Sequence, residues 1–245
     1  MYGPLSIKTW ILHRSSSQAK HLRITGRESH SCKSLKYKYL VIEGNIGAGK
    51  TSLASRLAEE TGSRLVLETF SDNPFLARFY EDPDRYAFQL ELSFLSERYH
   101  QIKTELGHPD LFRQAVISDY FLAKSFIFSK QNLKDDEMKL FEKLFSIINL
   151  QAPVPDLYVY LHLPVEKLLD NIKQRGRSYE KHIPYEYLRE LQEGYFGFFK
   201  SQQNMKILVL DTSNLDFVNN EMDFLQLKKV ILDGDYEVGL NRLIL

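Results

Sequence analysis

The segment YKYLVIEGNIGAGKTSLASRLAEE, residues 37–60, holds a short apolar run, a glycine-rich turn and a helical stretch in immediate succession. Tyr37–Glu43 is the apolar run, Gly44–Gly49 is the turn, and Lys50–Glu60 has the pattern of a helix. A strand that feeds a glycine turn and then a helix is the opening of a βα unit. The segment therefore predicts the start of a parallel α/β sheet.

Four more short apolar runs follow, each separated from the next by a stretch long enough for a crossover helix. They are Arg64–Glu68, Ala115–Asp119, Leu157–Leu163 and Lys206–Asp211. Parallel strands are buried on both faces, which explains why these runs show no clean alternation of apolar and polar residues. The sequence predicts an α/β fold with a doubly wound, five-stranded parallel sheet flanked by helices.

Three long helices are predicted between the strands. Asp84–Leu106 has apolar residues in steps of three and four, beside a polar stripe that begins at Gln89. Lys134–Leu150 and Pro184–Gln203 are the other two, and the proline of the last suits a first helical turn.

Composition limits the classes of function. The chain has 245 residues, 43% of them apolar, which is enough for one α/β domain with a proper core. Lys plus Arg and Asp plus Glu number 32 each, so no global field draws in nucleic acid or an anionic membrane. The single cysteine, Cys32, cannot form an internal disulfide, and no apolar run is long enough to cross a bilayer. We expect a cytoplasmic protein.

Residues 1–36 differ from the rest of the chain, because they contain seven Lys or Arg, a single acid, and no sustained periodicity. We predict a basic, disordered extension ahead of a domain at residues 37–245. An Arg- and Ser-rich leader of this kind also fits a transit peptide, which would make the protein mitochondrial.

The glycine turn is a complete GxxxxGK[ST] motif in its required context between a strand and a helix. Its backbone N–H groups would surround the phosphates of ATP, its lysine would reach the outer phosphates, and its threonine would offer a hydroxyl to Mg²⁺. The residues of this predicted ATP site are Gly44, Asn45, Ile46, Gly47, Ala48, Gly49, Lys50 and Thr51.

Two acids and a basic loop are the other candidates. Glu68 and Asp119 end the second and third strands, at the sheet edge where a doubly wound fold places its ligand crevice. Glu68 could act as a general base, and Asp119 could hold Mg²⁺. Arg175 and Arg177 flank Gly176 between two helices, so this loop could close as a lid over the triphosphate.

These motifs together resemble the deoxyribonucleoside kinase family over residues 37–235. The segments that carry the resemblance are the GxxxxGK[ST] motif, Glu68, Asp72–Leu76, Phe79-Tyr80, Phe88-Gln89 and Arg175–Glu180, in family order and spacing.

The resemblance implies transfer of the γ-phosphate of ATP, with Mg²⁺, to the 5′-hydroxyl of a deoxyribonucleoside. It implies catalysis by Lys50, Glu68, Arg175 and Arg177. It also implies a nucleoside site in which Tyr80 and Glu180 bind the 3′-hydroxyl of the sugar. In that site the amide of Gln89 forms a hydrogen bond with the base, and the rings of Phe88 and Phe128 pack around the base. A homodimer through the helices 88–106 and 134–150 is implied as well.

The end of the third strand departs from the common family pattern. It reads Ser118-Asp119-Tyr120, where many members have an acid-Arg-Ser triplet, so the usual arginine is missing. A small residue followed by Asp-Tyr is similar to the bacterial deoxyguanosine kinase branch, which favours purines and deoxyguanosine first.

Two alternatives remain open. A nucleoside monophosphate kinase would need a further cation for the phosphate of its acceptor, and the sequence offers none outside the lid. A catalytically inert, kinase-like accessory subunit is disfavoured by the intact Lys50, Glu68 and lid arginines.

Overall fold

The computed structural model describes residues 35–69, 73–106 and 115–245. Six strands form one parallel sheet in the order β2-β3-β1-β4-β5-β6. They are β1 (Tyr39–Gly44), β2 (Arg64–Val66), β3 (Val116–Ser118), β4 (Leu157–His162), β5 (Lys206–Asp211) and β6 (Gly239–Ile244). The first strand lies between β3 and β4, so the glycine turn leaves the sheet near its centre.

Eight α-helices connect the strands of the described chain. They are α1 (Lys50–Thr61), α2 (Leu76–Glu81), α3 (Pro83–Gln101), α4 (Ala123–Asn132), α5 (Asp135–Asn149), α6 (Val165–Arg175), α7 (Tyr185–Ser201) and α8 (Glu221–Asp233). A π-helical turn at Ile102–Leu106 ends α3, and a 3₁₀ turn at Ser178–Glu180 follows α6. None of the helices in the described ranges is long and apolar enough to cross a membrane.

The sheet is buried on both faces. In β1, Leu40 and Ile42 belong to the core cluster under α1, α6 and α8, whereas Val41 belongs to the cluster under α4 and α7. In β4, Val159 and Tyr160 divide in the same way. A doubly wound α/β fold was correctly predicted, because strands covered on both sides need apolar residues at every position.

The prediction of five strands was wrong by one. The sixth strand, β6, pairs with β5 at the edge of the sheet, and most of its residues are exposed. Its sequence GLNRLI mixes polar and apolar residues, so it lacks the apolar run by which the other five strands were predicted. An edge strand whose side chains are mostly exposed does not need a continuous apolar run, so its sequence is harder to identify as a strand.

Two charged residues of α3 are buried along with its apolar residues. The residues that the helix buries include Ala87, Leu90, Glu91, Leu95 and Arg98. Apolar periodicity predicts the helix, but by itself it does not identify the charged residues that lie inside.

Candidate active site

The glycine turn is shaped by backbone geometry that only glycine adopts freely. Gly47 and Gly49 have φ values of 86° and 83°. A Cβ on Gly47 would lie 2.7 Å from the carbonyl oxygen of Leu168, and one on Gly49 would lie 2.7 Å from the ring of Phe217. The buried amide of Asn45 donates to the carbonyl of Leu188 at 2.7 Å and anchors the turn to α7. The turn is thus preformed at the N-terminus of α1.

Lys50 begins α1, and its ammonium donates to the carbonyl of Asn45 at 2.9 Å. Burial lowers the pKa of Lys50 to about 8, and the nearby ammonium of Lys124 adds to this shift. A phosphate placed beside the ammonium would raise that pKa and accept a charge-assisted hydrogen bond from it.

Thr51 and Asp119, which were predicted as metal ligands, lie together. The Thr51 hydroxyl donates to Asp119 Oδ2 at 2.5 Å, and the backbone N–H of Glu68 donates to Oδ1 at 2.7 Å. A hydroxyl and a carboxylate are hard oxygen donors that suit Mg²⁺, which keeps several waters and takes its other ligands from phosphates. The described residues contain no cluster of three or more His, Cys, Asp or Glu that would form an all-protein metal cage.

Glu68 is held by two cations. Its Oε1 accepts from the guanidinium of Arg98 on α3, and its Oε2 accepts from the ammonium of Lys124 on α4. Its side chain is only 11% exposed. Burial alone would raise the pKa of Glu68, but the charges of Lys124 and Arg98 outweigh burial and hold that pKa well below its usual range.

Neither Arg98 nor Lys124 was identified in the sequence as a site residue. Arg98 lies 30 residues and Lys124 lies 56 residues from Glu68 along the chain. Local sequence patterns did not mark either residue, because each is buried beside Glu68, which lies far away along the chain.

The lid residues are close to one another. Arg175 ends α6 and is followed by Gly176, whose φ is 74°. The guanidinium of Arg175 donates to Glu180 Oε2 at 2.5 Å, and Arg177 donates to Oε1 at 3.2 Å. Glu180 itself is buried, with 5% exposure. The carboxylate thus holds both arginines on one side of the loop.

Two cavities adjoin at this point. The first, which we call the acceptor cavity, is lined by residues from the segment after β2, from α2, α3 and α4, and from the lid, and Glu68, Tyr80, Phe128 and Glu180 are among them. The second, the donor groove, runs along the glycine turn, α6 and residues 212–219. Lys50, Thr51, Arg175 and Arg177 line both.

Two of the predicted nucleoside residues are elsewhere. Gln89 is exposed, and among the described residues neither it nor Phe88 lines the acceptor cavity. The face of α3 that does line it consists of Leu90, Glu91, Phe94 and Arg98. The assignment of Gln89 to the base and of Phe88 to the pocket is therefore corrected, because the helix presents positions 90, 91, 94 and 98 on one side.

Glu91 is a site residue that the sequence analysis missed. It lines the acceptor cavity, is 2% exposed, and accepts a hydrogen bond from Asn132 Nδ2 at 2.6 Å. Burial raises its pKa to about 7, against the opposing effects of Asn132 and Arg98. An acid between Leu90 and Leu92 was a sign that something polar faces the core.

The model of the deoxynucleoside kinase family matches residues 40–233. A deoxyguanosine kinase of Bacillus subtilis is 35% identical over 190 residues, which cover 76% of this chain and 92% of that protein. A more distant relative, at 24% identity over 87% of this chain and 68% of its own length, is subunit 10 of the bovine mitochondrial NADH dehydrogenase 1 alpha subcomplex.

Among solved structures, deoxyadenosine kinase from M. mycoides, with dCMP and a flexible dCDP bound, has a TM-score of 0.67. It is 24% identical in sequence, and the match covers 77% of this chain and 96% of that one. At this identity the likeness shows the common fold.

Proposed function

The chain belongs to the deoxynucleoside kinase family of phosphotransferases, and we propose that it moves the γ-phosphate of ATP to the 5′-hydroxyl of a purine deoxyribonucleoside, deoxyguanosine first. The observation that carries the proposal is the meeting of the acceptor cavity and the donor groove at Lys50, Thr51, Arg175 and Arg177. A phosphoryl group crossing from one to the other would pass between these four side chains. Phosphoryl transfer needs this kind of positioning and charge neutralisation more than covalent help.

The donor half consists of the motif Gly44–Thr51. Its glycines leave backbone N–H groups free to meet phosphate oxygens, and α1 adds the positive end of its dipole. Thr51 and Asp119 would hold Mg²⁺, which neutralises charge on the triphosphate when it is bound.

In the acceptor half, Glu68 would take the proton of the 5′-hydroxyl. As the 5′-oxygen bonds to the γ-phosphorus and the bond from that phosphorus to the β–γ bridging oxygen breaks, the hydroxyl proton would pass to Glu68 and ADP would leave. A carboxylate of low pKa is a weak base, which suits a transfer whose transition state has little bond formation to the attacking oxygen. Glu68 would therefore orient the hydroxyl first and accept its proton late.

Lys124 would replace the arginine missing from the end of β3. Its ammonium pairs with Glu68 and approaches the ring of Phe128 to 5.5 Å. We assign Lys124 and Arg98 as positioning residues that keep Glu68 ionised and aimed into the cavity.

Tyr80 and Glu180 would bind the sugar. Tyr80 stacks on Tyr179 of the lid at 5.9 Å between ring centroids, so the two candidates for the 3′-hydroxyl belong to one contiguous group. Arg175 and Arg177 would turn from Glu180 toward the transferring phosphoryl group as substrates fill the site.

The cations of the acceptor cavity favour a neutral acceptor. Arg98 and Lys124 both pair with Glu68, so a phosphate on the acceptor would have to compete with that carboxylate. This disfavours a nucleoside monophosphate kinase. Retention of Lys50 and Glu68 in one connected site disfavours an inert accessory subunit, in spite of the bovine relative.

We also propose a cytoplasmic homodimer. The exposed side of α5 carries Leu140 and Ile147, which are 49% and 61% exposed, and a second copy would cover them.

The deciding experiment is a coupled ADP-release assay with Mg·ATP, the four natural deoxynucleosides, and thymidine 5′-monophosphate as the competing acceptor. We expect turnover with the nucleosides, deoxyguanosine highest, and none with the monophosphate. Lys50→Ala should abolish turnover and leave the thermal unfolding curve in place, since the hydrogen bond that the Lys50 ammonium donates within the described residues goes to a carbonyl of its own loop. Turnover of the monophosphate alone, or of no acceptor at all, would overturn the proposal.

A further inference from the structure

One buried carboxylate oxygen in the acceptor cavity lacks a partner. Glu91 Oε1 accepts from Asn132, but its Oε2 has no hydrogen-bond partner among the described residues and is shielded from solvent. Leaving a buried acceptor unsatisfied costs about 1–3 kcal/mol, and more for a charged group. Because Glu91 lines the acceptor cavity, a ligand bound there can supply the hydrogen-bond donor that this oxygen lacks.

Glu91 lines the same cavity as the residues that would surround the nucleoside. Glu68, where the 5′-hydroxyl would lie, and Glu91 both line the acceptor cavity, and Arg98 lies seven residues beyond Glu91 on α3. Phe94 and Phe128 line the same cavity and offer flat apolar faces to a base.

Of the four natural bases, only guanine presents two adjacent donors, its ring N1–H and its 2-amino group, at the edge used for base pairing. A carboxylate is an acceptor at both oxygens, so it matches that pair and no other. Adenine offers a donor beside an acceptor, which an ionised carboxylate meets on one side and repels on the other.

We propose that Glu91, held by Asn132, is the residue that selects guanine over adenine, and that it does so in its ionised form. The inference rests on the proposed function, because it concerns the acceptor of that same reaction. It assigns the base contact to the buried Glu91 instead of the exposed Gln89, which lies two residues earlier on α3.

The protonation state of Glu91 then sets the preference. The titratable and charged groups that act on it are Arg98 on its own helix, Lys124 of α4, Glu68 after β2, Tyr80 of α2 and Tyr187 of α7. Burial raises the pKa of Glu91 to about 7.

Below that pH the carboxyl is neutral and offers one donor and one acceptor, which complements adenine. Above it the carboxylate offers two acceptors, which complements guanine. The ratio of kcat/KM for deoxyguanosine to that for deoxyadenosine should therefore rise as pH increases from 6 to 8.

The test is that ratio in the unmodified protein and in Glu91→Gln, with Glu97→Gln as the matched control. Glu97 lies on the same helix and is exposed. Glu91→Gln keeps the size of the side chain and fixes the donor-and-acceptor pattern. We expect it to lower kcat/KM for deoxyguanosine about tenfold or more, to leave or raise that for deoxyadenosine, and to remove the pH dependence of the ratio. Glu97→Gln should behave as the unmodified protein.

Two further measurements test the contact between Glu91 and guanine apart from misfolding of a variant and apart from the rate of phosphoryl transfer. Deoxyinosine lacks the 2-amino group and should lose about tenfold in affinity relative to deoxyguanosine, by calorimetry without ATP, in the unmodified protein only. Glu91→Asp retains the charge and should keep a preference for deoxyguanosine.

The outcomes separate the two proposals. If the unmodified protein phosphorylates no deoxynucleoside, the proposed function fails. If it phosphorylates deoxyguanosine, but the ratio is flat between pH 6 and 8 or Glu91→Gln retains it within about twofold, Glu91 is not the selector and the proposed function stands.

Discussion

At the scale of residues, Glu68 forms a buried cluster of ion pairs with Arg98 and Lys124. Desolvating three charges is costly, and the cost is offset only because each cation contacts its own carboxylate oxygen. Removing one member would leave the others underpaired. Natural chains keep such groups where chemistry requires them.

Glu68→Gln should therefore reduce turnover about a hundredfold or more, which is the scale expected for a lost general base. It should also lower the thermal unfolding temperature, since Arg98 and Lys124 lose their shared anion. Steady-state kinetics and thermal unfolding measure the two effects. Glu59→Gln, an exposed position on α1, is the control, and a kcat for Glu68→Gln within twofold of the unmodified protein would make Glu68 structural.

Lys124→Met should lower kcat by about ten- to a hundredfold and change KM much less, because Lys124 acts through Glu68 and not on the nucleoside base. Lys124→Arg should restore most of the loss, because it restores the cation. The control is Lys130→Met, at an exposed position of the same helix. A loss confined to KM, or no recovery with arginine, would argue against a positioning role.

At the scale of elements, the lid depends on α6 ending at Arg175. Gly176 has a left-handed φ of 74°, which turns the chain so that Arg177 and Glu180 face Arg175. The 3₁₀ turn that follows brings Tyr179 onto Tyr80 of α2. The lid and α2 thus close one end of the acceptor cavity together.

Tyr80→Phe tests the sugar contact, because it removes only the hydroxyl and leaves the stacking on Tyr179. We expect kcat/KM to fall about tenfold for nucleosides with a 3′-hydroxyl and to stay unchanged for 2′,3′-dideoxy analogues. Kinetics on matched pairs of substrates measure the difference. The control is Tyr185→Phe, whose ring lies at an exposed site on α7. Equal losses for both kinds of substrate would place Tyr80 away from the 3′-hydroxyl.

At the scale of the whole molecule, α5 joins the core on one side only. Phe141 is fully buried with Leu95 and Leu122, whereas Leu140 and Ile147 are exposed. A helix with apolar residues on two sides can bury only one of them against the core of a monomer, so the other side stays exposed to solvent. We expect the second side to meet its copy across a two-fold axis.

The double variant Leu140→Glu with Ile147→Glu should therefore be monomeric at micromolar concentration, because like charges would face one another across the axis. Light scattering measures the mass. Substituting Met222 and Leu225 on α8, which are 72% and 42% exposed, by glutamate is the control and should leave the dimer intact. An unmodified protein that is already a monomer under these conditions would end the idea.

The sequence by itself determined strands β1 to β5, the glycine turn with Lys50 and Thr51, and the acids that follow β2 and β3. Each of these is a local pattern. A buried parallel strand needs a continuous apolar run, and a phosphate-binding turn needs its glycines and lysine at fixed offsets. Neighbouring positions in the chain hold all the information, so one sequence is enough.

Only the tertiary structure decided which faces turn inward and which distant charges meet. The family resemblance assigned Gln89 to the base, but α3 buries Glu91 and Arg98, whose partners Asn132 and Glu68 come from other parts of the chain. The edge strand β6 was missed for a related reason, since few of its residues are covered. A charged side chain can be buried only when its partner stands opposite, and that partner is supplied by another part of the fold.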